Sequence, residues 1–133
     1  GTIQIWGDGS QTRSFLYIDE CVEGTLRLLR SPHAGPFNIG SEEMVTINQL
    51  AGLIMNIAGK NLEIEHIRGP LGVRGRNSDN RLIKSTLGWA PSQTLRQGLE
   101  KTYAWVEGEV RRLENRNAPA ISSRRRLFLA AGE

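Results

Sequence analysis

Strand-like and helix-like patterns alternate along the first 110 residues, and this alternation constrains the fold more than any other feature of the sequence. Four runs have strand character: 2–6, 13–18, 36–40 and 62–67. Four segments carry apolar residues at helical spacing: 19–30, 46–59, 78–88 and 94–115. Strands alternating with helices indicate an α/β or α+β arrangement, and we predict α/β, as a small domain or as one lobe of a larger one.

Capping signals mark the ends of these helices. Asp19 can cap the first helix, and Gly59 and Gly88 are placed to end the second and third. Two capping boxes predict helix starts, and they are Thr46 with Gln49 and Thr94 with Gln97. The apolar stripes expected to pack inward are Val22, Leu26 and Leu29; Leu50, Leu53, Ile54 and Ile57; Leu82, Ile83 and Leu87; and Leu95, Leu99, Tyr103, Val106 and Val110.

Length and charge exclude several classes of protein. The chain has 133 residues, enough for at most one domain, and no apolar run approaches the ~18 residues of a membrane span. Its net charge of +3 is concentrated in 111–133, which leaves 11 of the 17 Lys and Arg and 12 of the 14 Asp and Glu to the first 110 residues, a net −1. Nucleic-acid binding by the folded part is therefore not expected. We predict a folded portion over 1–115 and a basic, disordered tail over 116–133.

The single cysteine and the start of the chain give two further expectations. Cys21 excludes an internal disulfide and fits a reducing compartment, so we expect a cytoplasmic protein. The chain starts at Gly1, almost directly on a strand, as if it were part of a longer protein. The two histidines lack metal-ligand spacing, and we predict no metal site.

The first candidate site follows a glycine turn. Gly7–Ser10 turns the chain into a strand that begins with Gln11 and Arg13. An arginine beside such a turn suits bidentate phosphate binding. The alternative is a hairpin whose arginine is simply solvated.

The second candidate site is the Gly- and Arg-rich loop 68–79. Its glycines have G-x-x-G-x-x-G spacing, but Pro70 lies inside the supposed dinucleotide cradle, so we reject that interpretation. Arg74 and Arg76 instead favour an anion bound by side chains, and a helix starting at Ser78 or Asp79 would add its N-terminal amides. The alternative is a polar loop without a ligand.

The chain resembles a known enzyme family at these segments. The segments that carry the resemblance are WGDGSQTRSF (6–15), YIDECVEG (17–24), NIGS (38–41), GVRGRNSDN (72–80) and LGWAP (87–91). With these segments, the chain over about 2–110 is similar to the C-terminal part of an extended short-chain dehydrogenase/reductase, and more specifically to the GDP-mannose 3,5-epimerase family.

The resemblance implies a division of labour within a longer enzyme. The N-terminal half would be a Rossmann domain that binds NAD and carries the redox and acid/base residues, so this chain would hold neither a catalytic nor a cofactor-binding residue and would be inactive alone. The chain would keep the GDP-sugar side, and the full-length parent would be a homodimer. The residues expected to bind the nucleotide sugar are Gln11, Arg13, Arg74, Arg76, Ser78 and Asp79.

Two alternatives remain at this stage. The chain could be part of another nucleotide-sugar epimerase, dehydratase or decarboxylase that uses a UDP- or dTDP-sugar. It could also be a non-catalytic binding module that uses the arginine-rich tail on nucleic acid or a membrane, in which case affinity would be lost on deleting 116–133.

Overall fold

The computed structural model describes residues 1–70 and 72–117 as a mixed α/β fold. The chain divides into two compact units, 1–103 and 104–133, which are described separately. The strands are β1 (Thr2–Trp6), β2 (Thr12–Ser14), β3 (Met44–Thr46) and β4 (Glu63–Ile67). The helices are α1 (Ile18–Leu29), α2 (Ile47–Ala58), α3 (Arg81–Leu87) and α4 (Leu95–Asn117). The predicted α/β class is confirmed.

The strands form two separate pairs. β1 and β4 are parallel, with Ile5 opposite His66, whereas β2 and β3 are antiparallel, with Arg13 opposite Val45. The helix α2 leads from β3 to β4, and so connects the two pairs along the chain. The core is small, and its buried apolar residues are Ile5, Ala51, Ile83 and Leu95.

Two strand predictions are wrong in part or in whole. Of the run 13–18, only positions 13 and 14 belong to a strand, which is β2 (Thr12–Ser14). The chain then turns into α1, where the Tyr17 carbonyl accepts a hydrogen bond from the Cys21 backbone amide. The run 36–40 is not a strand. Its carbonyl groups bind the segment before α3 instead, since the Gly40 carbonyl accepts from the side-chain amide of Asn80 at 2.7 Å. β3 was missed because three residues give too short an alternation.

The predicted helix ends agree with the structure better than the predicted strands do. Both capping boxes form, and Gly59 and Gly88 end α2 and α3 in the left-handed conformation, at φ 62° each. Asp19 is not the N-cap of α1, because the helix already begins at Ile18, and Asp19 lies in its first turn. α3 begins at Arg81 rather than at 78 or 79.

The predicted apolar stripes are only partly buried. On α1 the buried residues are Glu20 and Gly24, while Val22 and Leu29 of the expected stripe are 49% and 78% exposed. Val106 and Val110 of α4 are exposed as well, so the inward prediction fails beyond Tyr103. None of the helices in the described ranges is long and apolar enough to cross a membrane.

The predicted tail 116–133 lies outside the described residues except for its first two positions, which complete α4. The proposed boundary at 115 stays a prediction.

Candidate functional site

The turn between β1 and β2 is held by side chains as well as by its glycines. Gly7 and Gly9 have φ of 76° and 71°, which glycine adopts without strain. The Asp8 carboxylate accepts from the Ser10 amide at 2.9 Å and from its hydroxyl at 2.7 Å, and these bonds lower the pKa of Asp8. The Asn48 side-chain amide donates to the Asp8 carbonyl at 2.9 Å. These hydrogen bonds hold the turn in one conformation, and so they also fix where β2 begins.

Gln11 is tied into this turn. Its Nε2 donates to the Trp6 carbonyl at 3.0 Å, and its own carbonyl accepts from the Ile47 amide at 3.1 Å. Its Oε1 is buried and has no hydrogen-bond partner in the part of the chain that the structure describes. Gln11 thus joins the end of β1 to the start of α2, and it keeps one acceptor uncommitted within the described ranges.

Arg13 lies in β2, next to the Gly- and Arg-rich loop. Its side chain is half-buried, and Nη1 donates to the Thr12 carbonyl at 2.6 Å. Its Nη2 is 3.8 Å from the position that a Cβ would take on Gly72. The guanidinium therefore reaches the loop that carries the other two predicted arginines.

The Gly- and Arg-rich loop is hydrogen-bonded directly to β2. The Thr12 amide donates to the Arg74 carbonyl at 3.0 Å, and a Cβ on Gly75 would be 2.7 Å from the Thr12 hydroxyl oxygen. Arg74 and Arg76 flank that glycine and are both exposed. None of the ion pairs found within 1–70 and 72–117 involves these two arginines or Arg13. The structure thus brings together the two segments that the sequence offered as separate anion sites.

Ser78 and Asp79 lie at the end of the loop, before α3, and both already bind protein groups. The Ser78 hydroxyl donates to Asn80 Oδ1 at 2.7 Å. Asp79 pairs with the Arg81 guanidinium, whose Nε is 2.9 Å from Oδ1, and these hydrogen bonds lower the pKa of Asp79 to about 2. Asp79 is therefore ionised at neutral pH, but its charge is partly balanced by Arg81.

Asn80 is a residue that sequence reasoning missed. It is 5% exposed, and its side chain donates to the Gly40 carbonyl at 2.7 Å while its backbone amide donates to Glu42 Oε1 at 3.2 Å. It anchors the end of the loop to the segment before β3. Its position after Ser-Asp made it look like an ordinary first-turn residue, and only the distant partner reveals its role.

The glycine loop does not fit the pyrophosphate of NAD. A Cβ on Gly75 would meet the Thr12 hydroxyl, so one side of this glycine faces the protein and not a ligand. A dinucleotide cradle also leads directly into a helix, whereas α3 begins at Arg81, well past the last glycine. This agrees with the sequence-based rejection of that interpretation for the loop.

The class of protein is defined by sequence and fold together. Residues 1–40 match the model of the NAD dependent epimerase/dehydratase family. The fold is similar to UDP-glucose 4-epimerase of Thermotoga maritima, solved with UDP-glucose, with a TM-score of 0.77 and 31% identity over 82% of this chain and 36% of that chain. It is also similar to UDP-glucuronic acid 4-epimerase of Bacillus cereus, solved with UDP-glucuronic acid and NAD. That comparison has a TM-score of 0.75 and 28% identity, and it covers 81% of this chain and 36% of that chain. In sequence and in fold, the chain is thus similar to one part of the enzymes of this family.

Within that class, the similarity to one enzyme is much higher. GDP-mannose 3,5-epimerase of Arabidopsis thaliana is 56% identical over 107 residues, which are 80% of this chain and 28% of that protein. UDP-glucuronic acid decarboxylase 4 of the same plant is 38% identical over 73% of this chain and 22% of that protein. The predicted resemblance is confirmed, and the chain spans less than a third of the length of these curated relatives.

Proposed function

We propose that this chain is the nucleotide-sugar-binding part of a GDP-mannose 3,5-epimerase-like enzyme. The observation that carries the proposal is the bond between the Thr12 amide and the Arg74 carbonyl, at 3.0 Å. This bond sets Arg13 beside the loop that holds Arg74 and Arg76. Guanidinium groups bind phosphate oxygens bidentately, so three of them on adjoining segments suit the diphosphate of a nucleotide sugar.

The other predicted residues take supporting roles in this proposal. The buried Oε1 of Gln11 accepts a hydrogen bond from the substrate, since it has no partner within the described ranges. Asp79 is an acceptor at neutral pH because the pKa of its carboxyl is lowered to about 2. A carboxylate repels phosphate, so Asp79 is assigned to a ribose hydroxyl and not to the diphosphate. Ser78 holds Asn80 and positions that end of the loop.

For the parent enzyme we propose the conversion of GDP-mannose to GDP-L-galactose or GDP-L-gulose through a transient C4 ketone. NAD, held by a part of the parent outside this chain, would supply the oxidation and reduction at C4. This chain's own residues would bind and orient the nucleotide, leaving the chain inactive alone. We also propose a cytoplasmic, homodimeric parent, and the single cysteine of this chain can form no disulfide within it.

Calorimetric titration of the 133-residue chain with GDP-mannose tests the proposal. We expect Arg13→Ala to weaken binding about 10- to 150-fold, the effect of losing one charge-assisted hydrogen bond of about 1.5–3 kcal/mol. Arg112→Ala is the matched control, because its guanidinium is exposed and pairs with Glu109 at the other end of the chain. Equal affinities for wild type and Arg13→Ala would refute the assignment.

A UDP-sugar is the second candidate ligand, because the similar folds were solved with UDP-glucose and UDP-glucuronic acid. The higher identity to GDP-mannose 3,5-epimerase supports GDP. Competition between GDP-mannose and UDP-glucose on the same chain distinguishes them. A preference for UDP-glucose would leave the arginine assignment in place and change the sugar nucleotide. The tail hypothesis concerns residues outside the described ranges and stays a prediction.

A further inference from the structure

Gly75 of the loop lies close to Thr12 of β2. A Cβ built on Gly75 would be 2.7 Å from Thr12 Oγ1 and 3.4 Å from Met44 Cε. Contacts below 3.0 Å force a neighbour to move, and Thr12 is held in β2 by its pairing with Thr46. A side chain at residue 75 would therefore require the Thr12 side chain to rotate or the loop to move away from the strand.

The backbone at Gly75 does not itself require glycine. Gly75 is not among the glycines with positive φ, whereas Gly72, three residues earlier, has φ 63°. The backbone conformation at 75 thus allows an alanine, and only the close approach of neighbouring atoms disfavours it. The requirement for glycine comes from the approach of the two segments.

The arginines are immediate neighbours of this contact. Arg13 follows Thr12 in β2, and Arg74 and Arg76 flank Gly75 in the loop. A shift of the loop away from Thr12 would therefore change the distance between Arg13 and the other two arginines. A diphosphate can be bound by both segments only at a spacing that matches its oxygens.

We propose that Gly75, pressed against Thr12, is a positioning residue that sets the spacing of the arginines for a nucleoside diphosphate. This inference rests on the proposed function, because it concerns the same anion site. It assigns to Gly75 no contact with the ligand. Its effect acts through the position of the loop.

The test is a double-variant titration of the 133-residue chain with GDP. Gly75→Ala is expected to weaken GDP binding about tenfold or more, the loss of one charge-assisted contact. Thr12→Ala removes the opposing hydroxyl, so the double variant Gly75→Ala/Thr12→Ala should regain most of the lost affinity. Thr12→Val keeps an atom of similar size at that position, so Gly75→Ala/Thr12→Val should remain weak. Gly52→Ala is the control for glycine replacement, because a Cβ there meets nothing within 4 Å.

The inference is overturned if Gly75→Ala binds GDP like wild type, or if the double variant Gly75→Ala/Thr12→Ala binds GDP no better than Gly75→Ala. It is also overturned if affinity falls only in step with the urea midpoint, since a merely structural role would give that result.

A second readout separates this inference from the proposed function. The Thr12 amide donates to Arg74, so its hydrogen exchange, followed by NMR without any ligand, reports whether the loop is seated. Faster exchange in Gly75→Ala that is reversed by Thr12→Ala supports the positioning contact, and unchanged exchange refutes it. Should wild type fail to bind GDP while exchange behaves as expected, the proposed function is wrong and the contact stands as a loop-seating device only.

Discussion

Gly24 shows how a single missing side chain determines packing at the residue scale. It is buried in α1, where a Cβ would be 2.6 Å from the Trp89 ring atoms Cη2 and Cζ3 and 3.0 Å from Ile39 Cγ2. Arg27 of the same helix lies over the Trp89 ring, 5.9 Å from its centroid. Trp89 therefore packs against α1 because position 24 is bare.

Replacing Gly24 with alanine should lower the free energy of unfolding. We expect a loss of about 1–3 kcal/mol, the usual cost of inserting a methyl group into a filled space. Urea denaturation measures it, and Gly52→Ala is the control, since alanine in an open helical position should gain about 0.8–1 kcal/mol. Equal stability of Gly24→Ala and wild type would mean that the Trp89 contact is not tight.

The pair between Asp79 and Arg81 gives a prediction about pH. The hydrogen bonds from Arg81 lower the pKa of Asp79 from its ordinary 3.8 to about 2. Because the folded-state pKa is depressed, the contribution of the pair to stability is present above about pH 3.8 and is lost as pH falls through about 2. Arg81→Ala should return the Asp79 midpoint towards 3.8 in an NMR titration.

Asp8 is the internal control for that titration. Its pKa is lowered mainly by hydrogen bonds from Ser10, so it should not change in Arg81→Ala. An Asp79 midpoint that is the same with and without Arg81 would contradict the assigned cause.

At the scale of elements, signals that act within a few residues were readable from the sequence. The capping boxes of α2 and α4 and the glycine ends of α2 and α3 depend on contacts three to five residues apart, and they formed as expected. The run 36–40 failed because its partners lie about 40 residues away, at Asp79 and Asn80. A strand-like sequence pattern does not show whether a second strand is available to pair with it.

The capping box of α2 predicts a measurable share of stability. The Gln49 amide donates to Thr46 Oγ1 at 3.1 Å, while the Thr46 amide donates to Gln49 Oε1 at 2.8 Å. Thr46→Ala should cost about 0.5–2 kcal/mol, whereas Thr46→Ser keeps the acceptor and should cost much less. Thermal unfolding compares the two variants. Equal losses for alanine and serine would show that the hydroxyl is not the source of the stability.

At the scale of the whole molecule, the residue types of the candidate site were predictable but their meeting was not. Arg74 and Arg76 stand out from the sequence because they flank Gly75, and Arg13 because it follows the glycine turn 7–10. The pairing of Thr12 with the Arg74 carbonyl is a tertiary contact across 62 positions that no local pattern specifies. The resemblance to relatives suggested one site, and the structure brings together the two segments that we propose to form it.

The most direct test of that central claim is an NMR titration of the ¹⁵N-labelled, 133-residue chain with GDP. We expect the amide shifts to change together at Arg13 and across the loop 72–77, with no change over 104–113 of α4. The same titration on Arg13→Ala should need a higher GDP concentration for the same changes. Shift changes confined to one of the two segments, or located elsewhere in the chain, would contradict a shared nucleotide-diphosphate site.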